Sequence, residues 1–256
     1  MRTTKVKYGL SILAVWLVVA FVILLVIPPI SQDPAYFDFS DSARLLNIPN
    51  TLNVLSNLPF LLVGIMGCVA LSRKDELTID QPNKAAYYAL FLGTAIVAFG
   101  SGYFHLWPAN HTLLWDRLPM TIAFMGLVSI IIAEFISPIW GKRSLYPLLA
   151  LGVFSVLYWH FTEARGQGDL RPYVFVQFFP VIAIPVTLAL FPSRFSHVSA
   201  YWWLIATYVA AKVFEHFDKQ IHESLLVVSG HSIKHVVAAL GMYILLRGYS
   251  KRDQLG

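Results

Sequence analysis

The chain has 256 residues, of which 57% are hydrophobic and only 13% charged, and its mean hydropathy is +0.64. A soluble domain carries roughly 25% charged residues, so this composition excludes a soluble globule and points to an integral membrane protein. One cysteine, Cys68, excludes an intramolecular disulfide and a cysteine-based metal site, and the net charge of +5 calls for no nucleic-acid partner, because membrane proteins collect Lys and Arg on cytoplasmic loops.

Long uncharged runs without strand-type alternation predict helices rather than a barrel. Eight segments approach the roughly 20 residues that cross hydrocarbon: 8–28, 51–72, 85–106, 118–136, 145–161, 172–191, 198–216 and 229–247. The first follows Arg2, Lys5 and Lys7, yet it is long for a signal-peptide core and "IPPISQ" offers no small-x-small cleavage site. It is expected to stay as a helix. With a cytoplasmic N-terminus, alternation places twelve Lys and Arg inside and five outside, while Lys212 and Lys234 fall within spans. That is the positive-inside pattern, which one helix more or fewer would scramble. The sequence therefore predicts an all-α polytopic membrane helix bundle of eight transmembrane helices with both termini cytoplasmic. Residues 1–30 form an added N-terminal helix and 31–256 a seven-helix domain, with no soluble domain or internal repeat. Short loops and the lack of a second domain point to a bacterial inner membrane. The sequence leaves the oligomeric state open.

Under this topology the unusual polar residues gather at one face. "FGSGYFHLWP" places Ser101 and His105 four apart at the outer end of the third segment. "LLWDRLPM" carries Asp116 and Arg117 in the following loop, at the mouth of the fourth. "YWHFTEARGQGDLRPY" brings His160, Glu163, Asp169 and Arg171, and "KVFEHFDK" brings Glu215, His216 and Asp218. The last segment enters through "SGHSIKH", with His231 and His235 four apart and so on one helix face. Ionisable groups in a membrane face the bundle interior, where they pair, bind ions or do chemistry. Each also has a plainer role. His111, His160 or His216 suit hydrogen-bonded helix ends, and Ser101 between two glycines suits close helix packing. Asp116–Arg117 suits a solvated helix start, and Glu163, Asp169 and Arg171 suit an ion-pair network in a loop. His231 and His235 alone fit either a wet helix end or a metal pair. The availability of His105 at the same depth favours a three-histidine metal site with an open position.

"GSGYFH", followed eleven residues after its histidine by the Asp of "WDRLPM", and the late "GHSIKH" resemble the alkaline ceramidase family. That family is part of the CREST superfamily of membrane hydrolases, which also includes the adiponectin-type receptors. "NVLSNLPF" is similar to the start of the family's first core helix, and the resemblance spans roughly residues 33–247. It implies that His105, His231 and His235 bind zinc, that Asp116 orients or deprotonates the attacking water, and that Ser101 holds the site and stabilises the oxyanion. The implied reaction is cleavage of a ceramide-like membrane lipid at its amide, releasing a fatty acid and an amine. Arg117, Glu163, Asp169, Arg171, Glu215 and Asp218 are the candidate supporting residues. Eukaryotic members bind calcium through an acidic cluster before the first core helix. Here Asn50 stands where a final acidic ligand is expected, and Asp33, Asp38 and Asp41 are the carboxylates left to serve. "TEARGQGDLRPY" and "FEHFDKQI" look characteristic of a bacterial branch, whose substrates need not be ceramides.

Two other classes compete. An intramembrane serine protease would use Ser101 as nucleophile, although Phe99 departs from the Gly-x-Ser-Gly signature of rhomboid-type enzymes. A receptor or scaffold with structural zinc, or a proton-coupled carrier, would use the same buried groups, but carriers usually place them near the midplane within inverted repeats.

Overall fold

The computed structural model describes residues 2–45 and 47–255, and among these the regular structure is helical. Its helices are α1 Arg2–Val26, α2 Thr51–Leu55, α3 Leu58–Ser72, α4 Lys84–Leu106, α5 Asn110–Ile131, α6 Pro138–Ala164, α7 Arg171–Leu190, α8 Ser199–His216, α9 Asp218–Leu225 and α10 Gly230–Lys251. Six helical stretches among the described residues are long and apolar enough to cross a membrane, or seven if α9 and α10 count as one span bent by 106°. The chain is an all-α membrane bundle. α8 falls outside that set; it carries Lys212 and Glu215 near one end.

Small residues set which helices touch, as is common where lipid supplies no hydrophobic drive between helices. Gly64 of α3 meets Ala95 of α4 and Gly67 meets Phe91, so the two run antiparallel. The same reversal holds for α4 and α5, where Gly93 meets Ala123 and Gly100 meets Trp115, and for α8 and α10, where Gly241 meets Thr207 and Gly248 meets Ala200. At Gly100 a Cβ would collide with the Trp115 carbonyl oxygen, so only glycine lets α4 approach the turn that bears Asp116.

Several boundaries differ from the sequence expectation. The second segment is one stretch in outline but breaks between α2 and α3 around Ser56 and Asn57, where Pro59 lacks the N–H that would continue the ladder. α5 begins eight residues before the predicted position 118, which moves Asp116 and Arg117 out of the loop and into its second turn. α6 and α10 are likewise longer than predicted.

α1 lies along α7 and is otherwise open, with 6% of its apolar window buried. Trp16 stacks on Phe179 at 6.1 Å, and its indole N–H donates to the Phe179 carbonyl at 3.3 Å. Arg171 donates to the carbonyls of Leu24 and Ile27 at 3.2 and 2.8 Å, satisfying acceptors left open at the end of α1. The same guanidinium pairs with Asp169 at 2.7 Å, and these hydrogen bonds hold the Asp169 carboxyl below its ordinary range.

From the end of α1 a strap, residues 27–45 and 47–50, crosses the face that carries the histidines. Its fastenings are hydrogen bonds from Leu170 N–H to the Ile30 carbonyl (2.8 Å), Gln32 N–H to Glu163 (3.1 Å), Arg117 to Gln32 Oε1 (2.7 Å) and Ser40 N–H to Asp218 (3.3 Å).

The opposite end is closed by a buried cluster that the sequence analysis did not foresee. Glu134, in a π-helical turn at the end of α5, is fully buried and takes hydrogen bonds from Arg252 at 2.6 and 2.9 Å, Tyr87 at 2.5 Å and Tyr201 at 2.8 Å. Arg252 also lies 4.1 Å from the ring of Phe195 and 4.4 Å from that of Tyr249. Arg252, one of the twelve charges assigned above to the cytoplasmic side, also ties the end of α10 to Tyr87 of α4 and to Glu134 at the end of α5.

Candidate metal centre and active site

Three buried imidazoles converge where α4 ends and α10 begins. His105 sits in the last turn of α4, and His231 and His235 share the inner face of the first turns of α10. The Nε2 atoms of His105 and His231 are 3.3 Å apart, and one nitrogen from each of the three rings lies within 4.8 Å of the others. Two imidazole ligands on a tetrahedral zinc, each bound at about 2.0–2.1 Å, would lie about 3.3 Å apart, so the first pair already has ligand spacing. Three histidines with no carboxylate or thiolate among them are a donor set that zinc accepts while retaining its charge. The trio fits a metal ion.

Local structure explains the convergence. The start of α10 is pinned twice: Ser229 accepts from the Ser232 N–H at 3.2 Å, and Asp218 accepts from the His231 N–H at 2.6 Å. Gly230 admits no side chain, because a Cβ there would strike the Phe214 carbonyl. The break between α2 and α3 then docks on α10. Ser232 donates to Asn53 Oδ1 at 2.8 Å, and Ser56 Oγ is 2.8 Å from His235 Nδ1. A proton on Nδ1, donated to Ser56, leaves the Nε2 lone pair of His235 facing the other two rings. Asn50, in a left-handed conformation that Asn tolerates, donates to the His105 carbonyl at 2.7 Å and braces the last turn of α4. Phe39 of the strap roofs His105 and His231 at ring separations of 4.7 and 4.9 Å.

Partners of metal-binding histidines typically carry 10- to 100-fold of metal affinity. If the trio holds a metal ion, Ser56→Ala is expected to weaken its binding by about 10- to 100-fold without removing it, as measured by competition with a chromophoric chelator.

The trio opens on a cavity of about 310 Å³ that Ser101, Asp116 and Arg117 also line. From His105 it extends along α4 as far as Leu90, about 22 Å at the helical rise, between apolar residues such as Val97, Met120, Phe124, Ile184 and Met242. Ser101 and Asp116 are both buried, and the Ser101 hydroxyl neighbours the Asp116 carboxyl. Tyr36 of the strap reaches the same cavity. Although its ring is partly exposed, burial of its hydroxyl, then Glu215 and Asp116, push its pKa to about 12, so it stays a neutral hydrogen-bond donor.

Glu215 and Lys234, the latter unassigned by the sequence, meet in this cavity. Glu215 accepts from Lys234 at 2.5 Å and from Lys212 at 2.6 Å. Arg117 is buried against Trp159 and Tyr173, 4.2 and 4.8 Å from their ring centres. The remaining supporting candidates lie elsewhere. Glu163, Asp169 and Arg171 fasten the strap and α1, while Asp218 shapes the entry to α10. The proposed calcium carboxylates do not meet as one ligand set among the described residues. Asp33 caps the turn Pro34–Phe37, Asp41 accepts from the Ala43 N–H, and Asp38 ends that same turn. His111, His160 and His216 stand outside the trio. Missed by the sequence analysis were Ser56, Asn53 and Lys212. The spacing of Asn53, Ser56 and Asn57 within one apolar segment, which aligns polar groups on one helical face, was the available signal.

A search of the curated proteins finds no match. The family model described as Ceramidase matches residues 46–251, a span that holds Ser101, the histidine trio and Asp116. Over that length, four-fifths of its residues, this chain belongs to the Ceramidase family.

Proposed function

We propose that the protein is a zinc-dependent membrane hydrolase that cleaves the amide bond of a ceramide-like or other N-acyl lipid, releasing a fatty acid and an amine. Family membership implies amide hydrolysis. The observation that carries the finer reading is the histidine trio standing beside Ser101 and Asp116 at the head of a long apolar cavity. Zinc, when bound, supplies Lewis-acid polarisation of the amide carbonyl and lowers the pKa of the attacking water.

The chain's own residues do the rest. The apolar shaft takes the acyl chain and sets the amide at the level of the histidines. Asp116 accepts a proton from the attacking water and returns one to the leaving nitrogen. The water oxygen joins the acyl carbon as the C–N bond breaks. Ser101 donates to the carbonyl oxygen as negative charge develops there, and Phe39 with the strap shields the site from bulk water. In this reading the bundle crosses the membrane eight times with both termini cytoplasmic, which the antiparallel neighbours and the charge bias support. The site then lies near the extracytoplasmic face, and the N-terminal segment 1–30, which carries α1, is an addition to a seven-helix domain over 31–256. The serine-protease alternative is less supported, since the His105 and His231 Nε2 atoms face each other, His235 Nδ1 faces Ser56, and the neighbour of the Ser101 hydroxyl is Asp116 rather than a histidine.

Asp116→Asn is expected to keep stoichiometric zinc and lose turnover by about 10²- to 10⁴-fold, the usual contribution of a general base. Fatty-acid release from N-acyl lipids in nanodiscs, read beside metal content, checks both halves. Zinc-loaded wild type that releases no fatty acid from any N-acyl lipid would overturn the reading.

A further inference from the structure

The fixed charges lining the cavity do not balance. Lys212, Lys234 and Arg117 stand against two carboxylates, Glu215 and Asp116, before any metal adds its own charge. Charged groups within a membrane bundle are costly unless paired, and a neutral ceramide brings no anion to pair with the excess. The lysines are also the reachable part of this set. Each is held by a different oxygen of Glu215, Lys212 by Oε2 and Lys234 by Oε1, which fixes both ammonium groups side by side and leaves further N–H donors on each. Their side chains keep 41% and 15% exposure, on the cavity wall near the histidines. Arg117 donates through one Nη to Gln32 and lies against aromatic faces, while its other, buried Nη1 has no hydrogen-bond partner, so it adds positive field and one open donor deeper than the lysines.

We propose that Lys212 and Lys234, clamped on Glu215, receive an anionic group on the amine side of the substrate. The lipid cleaved would then be an N-acyl amine carrying a carboxylate or a phosphate, and not a neutral ceramide. This rests on the hydrolase reading above. Geometry favours it, because the lysines line the same cavity as the histidines, with Lys234 next to His235; an acyl chain laid along the apolar shaft leaves the amine portion to face them. Lys212 is one turn from the end of α8 and Lys234 is one residue from His235, so both are level with the reacting amide.

Three lipids with the same acyl chain separate the outcomes: N-palmitoylglycine, its neutral methyl ester, and N-palmitoyl-O-phosphoethanolamine. Wild-type protein in nanodiscs is expected to favour at least one anionic lipid over the ester by about 10- to 100-fold in kcat/KM, the range of a charge-assisted hydrogen bond. Whichever anion is preferred identifies carboxylate or phosphate as the group bound. Lys212→Gln is expected to reduce that preference about tenfold, mainly through KM, and Lys212→Arg to restore it. Binding of the same lipids to Asp116→Asn protein, followed by tryptophan fluorescence, reads the charge preference without turnover. Equal handling of ester and anions, or a preference untouched by Lys212→Gln, overturns the proposal while leaving the hydrolase reading intact. A charge preference in binding with no cleavage by the wild type sinks the hydrolase reading alone.

Discussion

Replacing His235 with alanine should leave a folded bundle that carries no stoichiometric zinc and turns over lipid amide slower by on the order of 10³-fold or more. The size follows from the charge stabilisation a metal supplies, several kcal/mol, at about 1.4 kcal/mol per factor of ten. Two histidines remain in this variant, but three protein ligands are the usual minimum for a catalytic zinc. The fold should survive because the other fastenings of α10 are independent of the ring. Ser229 and Asp218 still cap its first turn, and Ser232 still reaches Asn53. Elemental analysis of purified protein gives the metal content, and a thermal melt in detergent confirms folding. His231→Ala should behave alike. Retention of one equivalent of zinc by both variants would refute the ligand assignment, whatever happened to activity.

Arg252→Ala should destabilise the protein by about 3–5 kcal/mol, the cost of stranding one partner of a buried ion pair. Glu134 would keep the hydroxyls of Tyr87 and Tyr201 but lose both guanidinium bonds, at 2.6 and 2.9 Å. The arginine also donates to the Thr78 carbonyl at 2.6 Å, so its removal frees the loop between α3 and α4 as well. Melting temperature in detergent reads the loss. Replacing the pair together, Glu134→Gln with Arg252→Met, should recover much of it, because the uncompensated charge is then gone. Zinc affinity should stay unchanged in both variants, since the histidines lie at the other end of the bundle. A melt within error of wild type for Arg252→Ala would show that water already reaches this cluster.

The helical class was written in long apolar runs, because hydrocarbon leaves the backbone no other way to satisfy its own hydrogen bonds short of a closed barrel. That His105, Asp116, His231 and His235 gather at one place was legible as well, because charged and imidazole groups at helix ends stand out against lipid-facing residues; the structure brings them, with Ser101, to one cavity. Arg171 was open to two readings, a supporting site residue or part of a loop ion-pair network, and its pairing with Asp169 matches the second. It is polar, in the right segment and near the right depth, yet its hydrogen bonds go to the end of α1. Nothing local distinguishes a guanidinium that caps a distant helix from one that attends a substrate.

What composition and spacing determined about this chain is its solvent and its helical class, together with three histidines that are candidates for one metal, all properties carried by single residues or single segments. Only the tertiary structure decided that Ser56 orients His235, that Lys212 and Lys234 share Glu215, and that Arg252 reaches Glu134. These pairs lie 179, 22 and 118 positions apart at their widest. Polar and small residues show which face of a lipid-embedded helix turns inward. They do not show which inward faces meet, or at what height, and those are decided where small residues such as Gly100 let one backbone settle against another.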